Sequence, residues 1–149
     1  MNGSGLTAAA RAAVVVLLAA SAGCGRGDAD AGAEPAVAGV EVSEVRLGRT
    51  VGPDRRVTAE TDQFGARDSI YASVATQGSA NNVTLGARWK YQDGQVVDES
   101  RETLSPTGPA NTAFHVHHPQ GWPAGRYEVE ILVNDRLAQT REFTVRDGP

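Results

Sequence analysis

The hydrophobic and polar positions of the chain form two regions with different patterns. Residues 12–20 are one uninterrupted apolar run, whereas apolar and polar residues alternate in many segments from about Val40 onward. The clearest alternation covers residues 83–91. A period of two indicates strands with one buried face, and no segment of this region shows the 3.6-residue period of a helix. The second region is therefore predicted to be all-β.

Turn residues divide this region into seven predicted strands. They lie near residues 40–48, 68–76, 83–91, 95–104, 111–117, 125–134 and 137–146. Seven short strands within about 110 residues are typical of a β-sandwich of immunoglobulin or fibronectin type III class. Trp89 suits the buried tryptophan of such folds, and Tyr127 suits their tyrosine corner. Residues 49–67 exceed the usual loop length, which predicts an extra short strand or a segment that serves a partner.

Two further details of the strands follow from the pattern. Val40 and Val42 are out of phase with Val45 and Leu47, which predicts a bulged edge strand. The predicted strand order places the connections in two groups, one at each end of the sandwich. One end carries residues 77–82, 105–110 and 134–136, and the other carries residues 49–67, 93–94 and 119–124.

The Asp93-Gly94 turn predicts the register of one hairpin. A two-residue loop would place Asp98 opposite Trp89, on the core side of the sheet. A three-residue loop, with the glycine in the left-handed region, instead pairs Trp89 with Val97 and Arg88 with Asp98. We predict the longer loop, because it pairs an apolar residue with an apolar one and a charge with its countercharge.

Three segments of the chain resemble a bacterial immunoglobulin-like domain that occurs in small lipoproteins and envelope proteins. They are residues 68–74 (DSIYASV), 87–97 (ARWKYQDGQVV) and 121–127 (GWPAGRY). The resemblance covers residues 64–145, and its motifs are strand cores, a hairpin and a corner. It implies a β-sandwich and implies neither an activity nor catalytic residues.

Residues 1–23 have the layout of a secretory signal peptide. Arg11 precedes the apolar run, and small residues follow it. A helix over the apolar segment, at ~1.5 Å per residue, reaches only about half of the ~30 Å hydrocarbon core. The sequence therefore predicts a cleaved leader and not a permanent transmembrane helix.

The single cysteine, Cys24, directly follows Ser21-Ala22-Gly23, and this segment resembles a bacterial lipobox. The resemblance implies cleavage before Cys24, lipid on its thiol and acylation of the new amino terminus. By the lipoprotein sorting pattern, Gly25 after the cysteine fits export to the outer membrane, facing the periplasm. The alternative is an ordinary signal peptide that a chance cysteine follows.

Three regions follow from these features. Residues 1–23 are the predicted signal peptide, residues 24–38 are the lipidated cysteine and a tether, and residues 39–149 are the sandwich domain. The tether is predicted to be flexible, since its small and acidic residues bury too little apolar surface to offset the entropy of ordering.

Charge and cysteine content exclude several classes of function. The 149 residues include 14 Lys and Arg against 18 Asp and Glu, a net charge of −4. Loss of Arg11 with the leader would leave 13 basic and 18 acidic residues, a net charge of −5. A nucleic-acid partner is not predicted, because binding phosphates needs a surplus of basic side chains. One cysteine cannot form an internal disulfide or a cysteine-based zinc site.

All three histidines lie together, at His115, His117 and His118. His115 and His117 share one strand face, opposite Phe114 and Val116, and are predicted to point to solvent. Two imidazoles on one face can begin a Zn or Cu site, which then needs a third ligand from His118 or a neighbouring carboxylate. The alternative is a solvated strand face.

The sequence contains no pattern that assigns a reaction. It has no Gly-x-Ser-x-Gly elbow and no glycine-rich loop between a strand and a helix, so we predict neither catalytic nor cofactor-binding residues. Glu128 and Glu130 beside Arg126 indicate a solvated strand face. Trp122 is either a recognition aromatic or, as we predict, a plug at the end of the core.

The predicted function is that of a lipid-anchored, non-enzymatic lipoprotein of the cell envelope. Its immunoglobulin-like domain would bind an envelope protein or glycan, and Cys24 would attach it to the membrane. Periplasmic Zn or Cu binding through the histidines is the alternative. A hydrolase would need a pocket with convergent polar groups.

Overall fold

The computed structural model describes residues 39–148, which form eight strands and no helix. The predicted leader, Cys24 and the tether lie outside the described residues. None of residues 39–148 belongs to a helix that could cross a membrane. The strands are β1 (Val40–Gly48), β2 (Gln63–Gly65), β3 (Ile70–Gly78), β4 (Val83–Tyr91), β5 (Gln95–Leu104), β6 (Ala110–Val116), β7 (Gly125–Val133) and β8 (Arg136–Arg146). Seven of them occupy the predicted segments, and β2 is the extra short strand that was one of the two alternatives for residues 49–67.

The strands form two sheets, with the orders β1-β3-β6 and β2-β8-β7-β4-β5. All pairings are antiparallel except that of β2 with β8. In immunoglobulin nomenclature the first sheet has the order A-B-E, and the second contains G-F-C-C′. The predicted all-β sandwich of immunoglobulin or fibronectin type III class is therefore confirmed.

The core lies between the inner faces of the two sheets. Alternate residues of β3, β4 and β7 are fully buried there, as the period-two pattern predicted. The fully buried apolar residues of these strands are Ile70, Ala72, Val74, Val83, Leu85, Ala87, Trp89, Val129, Ile131 and Val133. The predicted bulge in β1 is also present, because the pairing with β3 shifts register between Val42 and Glu44.

The β4–β5 hairpin confirms the predicted loop and corrects the predicted pairing. Gly94 has a φ of +85° and its amide donates to the Tyr91 carbonyl at 2.7 Å, so residues 92–94 form the three-residue loop. Beyond the loop, however, Val97 is an extra residue in a bulge. As a result Asp98 lies opposite Trp89.

The register prediction for this hairpin was wrong for a physical reason. β5 is an edge strand and none of its residues is buried, so a core contact does not fix its phase. Asp98 and not Val97 pairs with Trp89, and Glu99 takes the place predicted for Asp98 opposite Arg88. The guanidinium of Arg88 donates to Glu99 at 2.9 Å, so a charge still meets its countercharge.

The β7–β8 hairpin has a tight turn at Asn134 and Asp135. Both residues have positive φ, 50° and 64°, as a two-residue hairpin turn of type I′ requires. A bulge at Ala138 then shifts the pairing of the two strands. Ala138 and Phe143 both face the core although they are five residues apart. In a regular strand residues at this spacing point to opposite faces, and the extra residue of the bulge brings both to the same face.

The predicted grouping of the connections at the two ends of the sandwich is confirmed. At one end the Ala80 amide donates to the Pro106 carbonyl at 3.1 Å, and the Asn134 amide donates to the Thr84 carbonyl at 2.8 Å. At the other end the Trp122 amide donates to the Ala66 carbonyl at 2.7 Å. This second end positions the residues considered below.

Two side chains fix the long connection between β1 and β3. The Asp68 carboxylate accepts from the Gly65 amide at 2.8 Å and from Arg49 Nε at 2.6 Å. The Gly65 amide and then Arg49 hold the pKa of Asp68 below its usual value. The Arg49 guanidinium also lies 5.5 Å from the centre of the Phe64 ring and donates to the Gln63 carbonyl at 2.8 Å, so it contacts two residues of β2.

Candidate functional site

Trp122 closes the core at the end of the sandwich that carries the predicted corner. Its side chain is buried, and its indole Nε1 donates to the Asp68 carbonyl at 3.0 Å. Its ring meets the Tyr127 ring edge to face at 5.5 Å. The prediction that Trp122 is a plug is therefore confirmed, since a buried ring with a bonded N–H is not available for recognition.

Tyr127 forms the predicted corner. Its hydroxyl donates to the Pro123 carbonyl, four residues upstream, at 2.8 Å. Its ring stacks on Phe143 at 5.3 Å. Burial, and to a lesser degree the nearby Tyr91, raises the pKa of Tyr127 from 10.0 to about 12.

We expect Tyr127→Phe to cost about 1 kcal/mol of unfolding free energy at neutral pH, because the hydrogen bond to Pro123 is lost. The wild type should lose stability as the pH rises from about 10 to 12, since the unfolded phenol ionises first and favours unfolding. Urea unfolding across this pH range should show that the phenylalanine variant lacks this part of the slope. Tyr71→Phe is the matched control, and an equal change in both variants would contradict the assignment.

Each of the three histidine side chains contacts a different residue. The His115 ring stacks on Tyr71 with 5.6 Å between centroids, and His117 Nδ1 lies 3.3 Å from Ser69 Oγ. The His118 ring lies 5.5 Å from that of Trp122. All three side chains are exposed, as predicted for His115 and His117, although β6 ends at Val116 and so only His115 belongs to the strand.

These contacts do not assemble the histidines into a metal centre. Within residues 39–148, no group of three or more His, Cys, Asp or Glu side chains is arranged to hold a metal ion. The three imidazoles instead line a shallow groove whose other wall includes Val97 and Asp98. The structure thus brings the histidines to one surface without converging their ring nitrogens.

The outer face of the five-stranded sheet carries a network of ion pairs. Arg88 lies at its centre, 2.9 Å from Glu99 and 3.6 Å from Glu130. Arg101 contacts Glu99 at 2.6 Å, and Lys90 forms an ion pair with Glu130. Hydrogen bonds from Arg88 and then Arg101 hold the pKa of Glu99 below its usual value. The sequence indicated only a solvated face here, because the pairing depends on the register of three strands.

A hollow lies beside this network, at the end of the same face near the tyrosine corner. Its volume is roughly 440 Å³, within the ~300–1,000 Å³ of typical ligand pockets. The lining side chains are Tyr91, Gln92, Arg126, Tyr127, Glu128 and Glu142. Sequence reasoning did not identify this hollow, and the one available signal was the pair of glutamates on neighbouring strands.

Comparison with known proteins gives a likeness in fold. No protein family model matches the chain. No curated protein matches it either. Among solved structures, the alkylpurine DNA glycosylase AlkC of Pseudomonas fluorescens, bound to DNA with an abasic site analogue, is 16% identical with a TM-score of 0.51. The match covers 73% of this chain and 31% of the glycosylase, so the chain spans about a third of that protein.

Two further solved structures have similar scores. The C-terminal domain of wzt is 10% identical with a TM-score of 0.50, over 76% of this chain and 75% of that domain. An immunoglobulin-like protein from Pseudomonas aeruginosa is 16% identical with a TM-score of 0.49, over 75% of this chain and 100% of that protein. At such identities the likeness concerns the fold alone. The strand order shows that residues 39–148 form an all-β, two-sheet sandwich, and the two likenesses with TM-scores of 0.50 and 0.51 agree with that fold.

Proposed function

We propose that this chain is a lipid-anchored, non-enzymatic module of the bacterial cell envelope whose sandwich domain binds another envelope component. The signal-like leader and the lipobox-like segment before Cys24 support the anchor. The observation that carries the binding role is the outer face of the five-stranded sheet, where ordered charged side chains adjoin an open hollow.

The ion-pair network supports a binding surface in a second way. Arg88, Lys90 and Glu130 constrain one another, so these side chains have less conformational entropy to lose when a partner covers them. The side chain of Glu130 is only 14% exposed. A preorganised face of this kind favours specific contacts with a partner of complementary charge pattern.

The position of the domain in the chain is also suited to this role. β1 begins at Val40, directly after the predicted tether. Residues 24–38 span at most about 50 Å when fully extended. The sandwich would therefore act within about 50 Å of the membrane that holds the lipid, and its partner would be an envelope protein or glycan.

Photo-cross-linking in growing cells tests the binding role. The full-length chain would carry a photoreactive amino acid in place of Asp93, which is exposed between the lining residues Gln92 and Gly94, or in place of Glu41 as the matched control. Glu41 is also exposed but lies on the other sheet. We expect one envelope component to be cross-linked from position 93 and not from position 41. No adduct, or the same adducts from both positions, would contradict the proposal.

A further inference from the structure

Gly125 lets the side chain of Tyr91, which lines the hollow, pack directly against the backbone of the tyrosine corner. A Cβ atom at this position would lie 2.8 Å from Tyr91 Cε2 and 3.1 Å from Gln92 Oε1, and the glycine has a φ of +151°. The Tyr91 ring therefore lies directly over the backbone at the start of β7. Its hydroxyl donates to the Ala124 carbonyl at 3.0 Å, and its ring centre is 4.8 Å from that of Tyr127. One aromatic wall of the hollow is thus fixed in place.

The charged side chains around the hollow differ from the rest of the face in having few partners. Among the described residues, Arg126, Glu142 and the Gln92 amide make no side-chain hydrogen bond or ion pair. Glu128 has one ion pair, 3.7 Å from Lys90. By contrast, Arg88 and its neighbours toward β5 are all paired with one another. The free hydrogen-bonding capacity of this face is therefore concentrated at the hollow.

The bulge at Ala138 produces an unfavourable pair at the same place. Glu128 lies directly opposite Glu142 in the β7–β8 ladder. Like charges at directly opposed positions are destabilising. A ligand that donates hydrogen bonds to both carboxylates would offset this repulsion.

We propose that this hollow binds a neutral sugar ring of an envelope glycan, an inference that rests on the binding role proposed above. The lining carries the guanidinium of Arg126 beside the carboxylates of Glu128 and Glu142, so an anion would meet two like charges and a cation would meet one. Sugar hydroxyls both donate and accept, and they can therefore bond carboxylates, a guanidinium and an amide at once. The half-buried Tyr91 ring offers a flat apolar surface to the C–H face of the sugar.

Saturation-transfer NMR with neutral tetrasaccharides tests the inference. The full-length lipidated protein would be purified in a detergent without a sugar headgroup and mixed with chitotetraose, cellotetraose or mannotetraose. We expect at least one of them to bind with a Kd of about 1 mM or below. Arg126→Ala and Glu142→Gln should each weaken binding about tenfold, because each removes a charged partner of the sugar hydroxyls.

Matched controls separate recognition from folding. Arg136→Ala and Glu41→Gln alter exposed residues away from the hollow and should leave binding within about twofold of the wild type. Glu142→Gln should not lower the melting temperature, since it removes the repulsion with Glu128. Absence of binding by all three sugars, or equal binding by all variants, would overturn the sugar site. If no sugar binds, a protein adduct from position 93 in the cross-linking experiment would leave the broader binding role standing.

Discussion

Replacing Phe143 by alanine is expected to lower the free energy of unfolding by about 3–5 kcal/mol. The side chain is 2% exposed and joins three other aromatic rings in the core. Its ring stacks on Tyr127 at 5.3 Å and meets Phe64 and Trp89 edge to face at 5.6 Å and 5.9 Å. The expected loss has two parts: the hydrophobic free energy that burial of the ring contributes, and the cost of the cavity that its removal leaves in the core.

This loss is large relative to the total stability of a domain, which is typically about 5–15 kcal/mol. Phe143 also connects elements that have few other contacts, since Phe64 belongs to the three-residue strand β2. Removal of the ring should therefore loosen β2 as well as the core. The melting temperature is expected to fall by roughly 10–20 °C.

Urea unfolding of the full-length protein, followed by tryptophan fluorescence, measures the effect. Phe143→Leu keeps an apolar side chain and should cost about 1–2 kcal/mol. Leu137→Ala is the surface control on the same strand, because Leu137 is 52% exposed, and it should cost about 0.5 kcal/mol or less. A loss below about 1 kcal/mol in Phe143→Ala would show that the aromatic cluster contributes little to the packing of the core.

The local pattern of the sequence was sufficient for the strands that line the core. Trp89 and Tyr127 are buried where the period-two alternation placed them, because each strand with a buried face has only one phase that keeps its apolar residues inside. The three-residue loop before β5 was also predictable, since Gly94 can adopt positive φ at no steric cost.

The register of a strand was not predictable where the strand has no buried apolar face. Val97 on the edge strand β5 is 39% exposed, so bulging it outward costs little burial. The existence of β2 was one of two readings of residues 49–67, but its parallel pairing with β8 brings Gln63–Gly65 into contact with residues 144–146. These contacts join residues that local periodicity does not relate.

The hollow was also not predictable from the sequence, because its residues meet only through the register of β7 and β8. Without the bulge at Ala138, continuous pairing from the Asn134-Asp135 turn would place Arg141 opposite Glu128. The bulge instead brings Glu142 to that position and so creates the acidic pair. The histidines were conspicuous in the sequence because they are adjacent, whereas the residues of the hollow come from three strands and meet only through this register.

The second large effect is expected at Cys24. Serine at this position should abolish attachment of fatty acid and leave the chain as an uncleaved precursor, because the thiol is the acceptor that the lipobox resemblance implies. Each buried CH₂ of an acyl chain contributes roughly 0.8 kcal/mol to membrane binding, so several chains anchor a protein that one chain would not. Without its acyl chains, the protein is therefore expected to lose this mode of membrane attachment completely.

Metabolic labelling with an alkyne analogue of palmitate, followed by mass measurement of the product, distinguishes the two readings of the leader. The wild type should incorporate the label and begin at Cys24, and Cys24→Ser should show neither change. Ser21→Leu is the matched variant, since it replaces a lipobox position without removing the thiol and should keep the label. A wild-type chain that is cleaved but unlabelled, with a free thiol, would establish an ordinary signal peptide and refute the anchor. Because the sandwich itself begins only at Val40, that result would leave the binding face of the five-stranded sheet to be judged by cross-linking alone.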